Sequence, residues 1–247
     1  MPVIYMRPAY QIYRLAWSSL DLFFPPNCGG CGAPGSRLCR GCLQRIRIMP
    51  IAICQICGVT LESPGLCNSC QSAPPSYEAL RSWALYDGPL RNAIHKLKYS
   101  GDMSLGEILA RFLYDLLAKL GWRVDLITPV PLGLARHAER GYNQAALLAR
   151  PLALRSGIKF QPRALRKIRD TKSQVGLTFS QRLENVADAF ISESNLVRNR
   201  TVLVVDDVIT SGATMESCAK SLVVAGADCV YGLSLARAIN PSPSGEM

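Results

Sequence analysis

The sequence predicts an α/β fold, a parallel sheet flanked by helices, behind a small cysteine-rich domain. Three observations predict it. From about residue 76 onward, apolar strand-like runs alternate with helical stretches, the pattern of a parallel sheet covered on both faces. Within that region "TVLVVDD" (201–207) is a near-continuous apolar run, as a strand buried on both sides requires. Eight of the ten cysteines fall between Cys28 and Cys70, in a Gly- and Pro-rich segment with little apolar periodicity. Such a segment cannot fold on hydrophobic burial alone.

The elements follow in order. Residues 1–27 form an N-terminal amphipathic segment, with a helix expected from about Tyr10 to Phe23. Packing on the protein's own body is the simpler use of its apolar face, and a membrane surface is the alternative. The cysteine-rich domain spans 28–75 and ends in a linker near Ser72 to Ser76, inside "QSAPPSYEAL". A second domain, 76–240, starts with "RSWALYD" as a strand and "GPLRNAIHKLKYSGD" as a helix followed by a turn. In "LGEILARFLYDLLAKLGW", Ile108, Leu109, Phe112, Leu113, Leu116, Leu117 and Leu120 recur at helical spacing, and Gly121 reads as a stop. "DLITPVP" reads as a strand running into a Pro-punctuated loop, and "NQAALLARPLALRSG" as a helix interrupted or bent at Pro151. "GATMESCAKSLVVAG" is a helix, "CVYGLSLAR" the last strand, and 241–247 a tail.

The 247 residues are 49% apolar and 19% charged, a normal globular mixture. Lys and Arg number 28 against 18 Asp and Glu, a net charge of +10 that attracts anions such as phosphates, nucleic acid or an anionic membrane face. The excess is spread: residues 1–80 carry 6 basic and 3 acidic groups, and the rest carry 22 and 15. Neither part is a basic tail. No run of eighteen apolar residues exists, so no transmembrane segment is expected. Arg7 and Arg14 interrupt the N-terminal apolar stretch and no small-residue cleavage site follows, so a cytoplasmic location is expected.

The cysteines form four CxxC pairs: Cys28/Cys31, Cys39/Cys42, Cys54/Cys57 and Cys67/Cys70. Each pair presents two thiolates from a tight knuckle, and tetrahedral Zn²⁺ takes two knuckles, so eight thiolates supply two closed structural sites. Each site contributes on the order of 10 kcal/mol of folding free energy, which replaces the missing core. The simplest pairing is sequential; interleaved pairing fits the spacing too. Disulfides would need an oxidising compartment, and a redox CxxC has no need of repetition. Cys218 and Cys229 read as buried free thiols.

"VLVVDDVITSGAT" (202–214) raises the functional question, because it places two adjacent carboxylates, Asp206 and Asp207, where an apolar strand ends. In open α/β sheets, ligands bind outside the carboxyl ends of strands. Thr210, Ser211, Gly212, Ala213 and Thr214 then combine hydroxyls with small residues at a helix N-terminus. That is a phosphate seat, with backbone N–H groups and the positive end of the helix dipole. A sugar phosphate meets both halves: the carboxylates accept from vicinal hydroxyls and help to hold Mg²⁺ nearby, and the loop takes the phosphate. A plain capped turn requires only one such residue and leaves the second carboxylate unexplained.

This stretch resembles the phosphoribosyl-pyrophosphate (PRPP) motif of type I phosphoribosyltransferases. With the four knuckles, "RGYNQA" (140–145) and "RDTKSQVGLTFSQRLENVADAF" (169–190), the chain resembles the ComF/GntX family, a double zinc ribbon followed by a type I phosphoribosyltransferase-like domain. The resemblance implies that Asp206 and Asp207 hold the ribose of PRPP or a related phosphoribosyl ligand, and that Thr210 to Thr214 hold its 5′-phosphate. It implies a pyrophosphate loop in "PVPLG" (129–133), with Pro131, Leu132 and Gly133 at the ligand. Arg136 and Arg140 follow within two helical turns, where they either neutralise a pyrophosphate or line a solvated face. His137, between them, could serve as an acid, but it and His95 read more simply as surface residues. Arg163, Arg166, Lys167, Arg169 and Lys172 fall where type I enzymes carry a mobile loop over the pyrophosphate. The same charges suit a nucleic-acid contact, with Tyr142 and Phe179 as stacking partners. The expected function is a PRPP- and Mg²⁺-binding phosphoribosyltransferase-like protein linked to natural competence. The alternative is a non-catalytic protein that uses the same fold to bind single-stranded DNA.

Overall fold

The structure is a computed structural model and describes residues 7–23, 25–169 and 189–238. Its main sheet has five parallel strands: β1 (Ala79–Leu85), β2 (Leu126–Pro129), β3 (Lys159–Phe160), β6 (Thr201–Ile209) and β7 (Cys229–Arg237). Their order is β1-β7-β6-β2-β3, and β4 (Leu165–Lys167) pairs antiparallel with β5 (Phe190–Ser192) apart from them. The described helices are α1 (Pro8–Phe23), α2 (Arg40–Gln44), α3 (Asn68–Ser72), α4 (Gly88–Tyr99), α5 (Leu105–Leu120), α6 (Leu134–Arg140), α7 (Gln144–Ser156), α8 (Ser194–Val197) and α9 (Ala213–Val224).

Side chains alternate across the sheet, and β6 fills both of its faces. Leu203 and Val205 pack with Leu109, Leu113, Leu148 and Leu152 of α5 and α7. Val202 and Val204 pack on the other side with Met215, Cys218, Ala219 and Leu222 of α9. Each fully buried Leu or Val here contributes about 1.5–3 kcal/mol. That two-sided burial explains why β6 reads as an apolar run without alternation. α5 ends at Gly121, whose φ of 65° lets its N–H reach back to Leu117 O at 3.3 Å.

The interruption expected at Pro151 is absent: α7 runs through it as one helix from Gln144 to Ser156. Pro151 has no N–H for the carbonyl of Leu147, one turn back. That carbonyl instead faces α5, where a Cβ on Gly106 would meet Leu147 O at 2.7 Å. The absence of a side chain at Gly106 lets the two helices close on the freed carbonyl.

The cysteine-rich segment covers an edge that would otherwise be open. Leu85 N–H donates to Arg47 O and Met49 N–H to Trp83 O, with Ile48 bridging antiparallel to Ala84 on β1. Leu80 N–H, also on β1, donates to Ile56 O at 2.8 Å. The outer edge of β1 is therefore paired rather than exposed.

α1 packs on the body, against α7 and α5. Tyr10 is buried and donates its hydroxyl to Glu107 at 2.7 Å, while Ile12 and Leu15 face outward. Among the described residues, no helix is long and apolar enough to cross a membrane. The tail expected at 241–247 and residues 170–188 of the basic stretch lie outside the described residues.

Candidate functional site

The two halves of the sheet part at one place. β2 leads to β3 on one side and β6 leads to β7 on the other, so strand order reverses between β2 and β6. In open α/β sheets that reversal opens a crevice at the carboxyl ends of the strands. β2 ends at Pro129, opposite Val205, and Val130 N–H makes a last bond to Val205 O at 2.9 Å. β6 continues alone on that side through Asp206 and Asp207, still paired with β7 through Asp206–Ser234 and Val208–Ala236. The carboxylates were expected at a strand end. They lie inside β6 instead, and it is β2 that ends.

Both acids are buried. Asp207 N–H donates to Asp206 Oδ1 at 2.9 Å. Asp207 Oδ2 lies 2.5 Å from Lys98 Nζ, an ion pair reaching across from the last turn of α4. Charge attraction and a side-chain hydrogen bond both join the two groups. Burial alone would depress the Lys98 ammonium, but Asp207 and, behind it, Asp206 hold its pKa above the usual value. Asp206 moves well above the usual carboxylate range, first by desolvation and then by the Asp207 charge. Two buried acids thus share one ammonium.

Beyond the acids, Thr210, Ser211 and Thr214 are half-buried, and Gly212 and Ala213 buried. Gly212 has φ 86° and precedes the first residue of α9, while Ser211 Oγ accepts from Ala213 N–H at 3.4 Å. Only a glycine takes this left-handed turn without strain, and the turn aims the start of α9 back toward the end of β6. Across the crevice, Pro131 and Leu132 are half-buried and Gly133 is buried, at the start of α6.

The "RGYNQA" stretch ties these parts together. Asn143 donates to Val130 O at 2.9 Å and caps α7 by accepting from Ala145 N–H at 2.9 Å. Tyr142 donates its hydroxyl to Leu97 O at 2.7 Å, which fixes α4 next to Lys98. Arg140 donates to Gln144 at 2.9 Å and lies 4.8 Å from the Tyr99 ring centre. Arg136 is half-buried, and His137 and His95 are exposed. In the basic stretch, Arg163 and Arg169 are exposed, Arg166 pairs with Glu193 at 2.7 Å, and Lys167 lies 5.7 Å from the Phe190 ring centre. Arg166 and Lys167 thus belong to a strand, β4, where a loop was expected. Lys172 and Phe179 lie outside the described residues.

The cysteines gather as the sequential pairing expects. The sulfurs of Cys28, Cys31, Cys39 and Cys42 lie within 4.8 Å of one another, and so do those of Cys54, Cys57, Cys67 and Cys70. Zn–S bonds of about 2.3 Å in a tetrahedron put sulfurs about 3.8 Å apart. Cys31 and Cys39 are 3.8 Å apart and Cys57 and Cys67 3.7 Å. Backbone N–H groups of Cys39 and Cys67 donate to the sulfurs of Cys28 and Cys54 at 3.3 and 3.4 Å. Burial opposes ionisation of these two thiols, but such donors outweigh it and lower both to about 6. Both donor sets fit Zn²⁺, and its chemistry there is structural, since four thiolates leave no open position.

Residues 19–71 match the double zinc ribbon domain and residues 107–236 the phosphoribosyl transferase domain. The chain is 33% identical over 209 residues to competence protein F of Haemophilus influenzae, covering 81% of this chain and 90% of that protein. The chain belongs to the ComF/GntX family. Within this family, the DNA utilization protein YhgH of Salmonella typhimurium is 32% identical over 82% of this chain and 91% of its own length. Competence protein ComFC of Bacillus subtilis is 25% identical over 78% and 80%.

In this ComF/GntX chain, the sequence points to the acids, the hydroxyl loop, the Pro loop and the "RGYNQA" stretch, but assigns no role to Lys98, Asn143 or Gln144. Lys98 had one visible signal, since in "IHKLKYSGD" it follows buried Leu97 and so starts close to the core. A lysine in a last helical turn reads more simply as a partner of the helix dipole.

Proposed function

We propose that the crevice between β2 and β6 binds PRPP, or a related phosphoribosyl ligand, together with Mg²⁺. The observation that carries this reading is the strand-order reversal, with buried Asp206 and Asp207 on one wall and Pro131 to Gly133 on the other. The carboxylates accept from the 2′ and 3′ hydroxyls, and Thr210 to Thr214 take the 5′-phosphate at the start of α9. Pro131, Leu132 and Gly133 bring backbone close to the pyrophosphate, and Arg136 and Arg140 add positive charge behind it. The residues fit a cationic guest, because two buried acids share one ammonium and a second cation lets both ionise. Bound Mg²⁺ would supply charge stabilisation for departing pyrophosphate. The transfer open to such a site forms a bond from an acceptor's electron pair to C1 of the sugar, while pyrophosphate leaves with the C1–O pair.

The relatives named for competence and DNA utilization support a role in handling incoming DNA, and the charge of +10 suits single-stranded DNA as a second partner. Binding to it should weaken steeply with salt and drop when Arg163, Arg166, Lys167 and Arg169 are neutralised. Affinity indifferent to both removes the DNA reading.

The deciding experiment is thermal denaturation with PRPP and Mg²⁺. The wild type should melt higher with both, and the Asp206→Asn/Asp207→Asn protein should not respond. No shift in the wild type sinks the ligand assignment. Pyrophosphate release with a panel of nucleobases then separates a catalyst from a binder.

A further inference from the structure

The feature that the PRPP reading leaves unused is Lys98. Its ammonium lies 2.5 Å from Asp207 Oδ2, and its side chain is 17% exposed against 4% for Asp207. The attachment point is fixed. Leu97 is fully buried in the core beside α5, and Tyr142 holds the Leu97 carbonyl at 2.7 Å. A flexible four-carbon stem then crosses from a rigid helix end to a rigid strand.

We propose that Lys98 is the resting counter-cation of the Asp206–Asp207 pair, a tethered ammonium that a divalent metal must displace. The inference rests on the PRPP reading only for the identity of the final ligand. It makes Lys98 a specificity-determining residue. A bare sugar phosphate brings no positive charge and cannot replace the ammonium beside Asp207. A metal-chelated polyphosphate delivers a cation to the carboxylates, and the freed ammonium then has the ligand's phosphates to pair with. The pair excludes ligands that arrive without metal, because separating Lys98 from Asp207 leaves a buried carboxylate uncompensated.

Displacement has a consequence that can be read without turnover. Removing the ammonium leaves the carboxylates with no internal cation, so a soluble metal should bind them more tightly. The probe is Mn²⁺ alone, titrated by electron paramagnetic resonance into zinc-loaded wild type, Lys98→Met and Lys98→Arg. Lys98→Met should bind Mn²⁺ at least roughly tenfold more tightly than the wild type, and Lys98→Arg, which keeps the charge, should stay near it. Equal or weaker binding by Lys98→Met, or no binding by either, overturns the proposal.

A second measurement needs no variant. Acetylation of Lys98 in the wild type, followed by mass spectrometry, should speed up severalfold as Mn²⁺ is added, because the amine leaves its ion pair. A rate that does not change overturns the proposal as well. Adding Mg²⁺ and PRPP separates the two ideas. Metal-dependent exposure of Lys98 with no response to PRPP sinks the ligand assignment and leaves Lys98 standing. PRPP binding with no change at Lys98 does the reverse.

Discussion

Ser76 holds Glu216 twice: its backbone N–H lies 2.8 Å from Oε2 and its hydroxyl 2.7 Å from Oε1. Ser76 lies in the segment linking α3 to β1, and Glu216 in the first turn of α9, just past Gly212. The bond pair therefore anchors the linker to the helix that starts at the hydroxyl loop. Next to it, the Tyr77 hydroxyl lies 3.6 Å from where a Cβ on Gly212 would sit.

Removing that anchor has a defined cost. Hydrogen bonds to a charged group contribute about 1.5–3 kcal/mol, and Glu216 also sits favourably at the positive end of α9. Glu216→Ala should lose about 2 kcal/mol in urea denaturation, and exposed Lys220→Ala on the same helix less than about 0.5 kcal/mol. Equal losses would show that the anchor carries no energy.

The two cysteine sets predict metal content. Each set is closed on its own, with its sulfurs within 4.8 Å. The wild type should carry two zinc ions per chain by atomic absorption, and Cys54→Ser should keep the one at Cys28, Cys31, Cys39 and Cys42. Chelation of both should expose the outer edge of β1, which Arg47, Met49 and Ile56 cover, and promote aggregation. A single zinc in the wild type would refute two independent sites.

How much was legible follows from where each signal sits. β6, β7 and α5 carry their own patterns, so their places could be read from short stretches, and the CxxC knuckles are local as well. β3, with two residues, and β4 and β5, with three each, are too short for alternation to register. The contacts that finish the site join residues distant in sequence: Lys98 to Asp207, Tyr142 to Leu97, Ser76 to Glu216. Each residue has an ordinary local reading, and only the chain's return to one sheet edge makes them partners. The position of the acids inside β6 was hidden for the same reason, because where β2 ends is a property of the pairing.

At the other end of the molecule, Tyr10 tests how α1 is held. Its hydroxyl donates to buried Glu107, which also receives Arg111 through contacts of 3.0 Å to each carboxylate oxygen. Tyr10→Phe removes one donor and leaves the carboxylate paired, so it should cost only about 1 kcal/mol. Glu107→Ala removes the acceptor of both Tyr10 and Arg111 and should cost more, about 2 kcal/mol, a loss limited because Arg155 still reaches the Tyr10 hydroxyl at 3.4 Å and the Arg111 side chain is 36% exposed. The ratio of the two, from urea melts, checks whether Glu107 is the hub.

Asp206 gives a pH-dependent prediction. Burial and the neighbouring Asp207 charge raise its pKa well above the ordinary carboxylate value, about 3.9. Above pH ~4 the folded state therefore binds a proton that the unfolded chain has already released. Stability falls with rising pH across that window, until Asp206 ionises in the folded state as well. Asp206→Asn keeps a carbonyl to accept from Asp207 N–H and removes the charge. Without ligand or divalent metal, this variant should melt higher than the wild type at neutral pH and show a flatter profile from pH 4 upward. The gain is what a binding site sacrifices when it keeps two acids side by side. A variant that melts lower, with an unchanged profile, would mean that Asp206 serves the folded chain by its charge, not a guest.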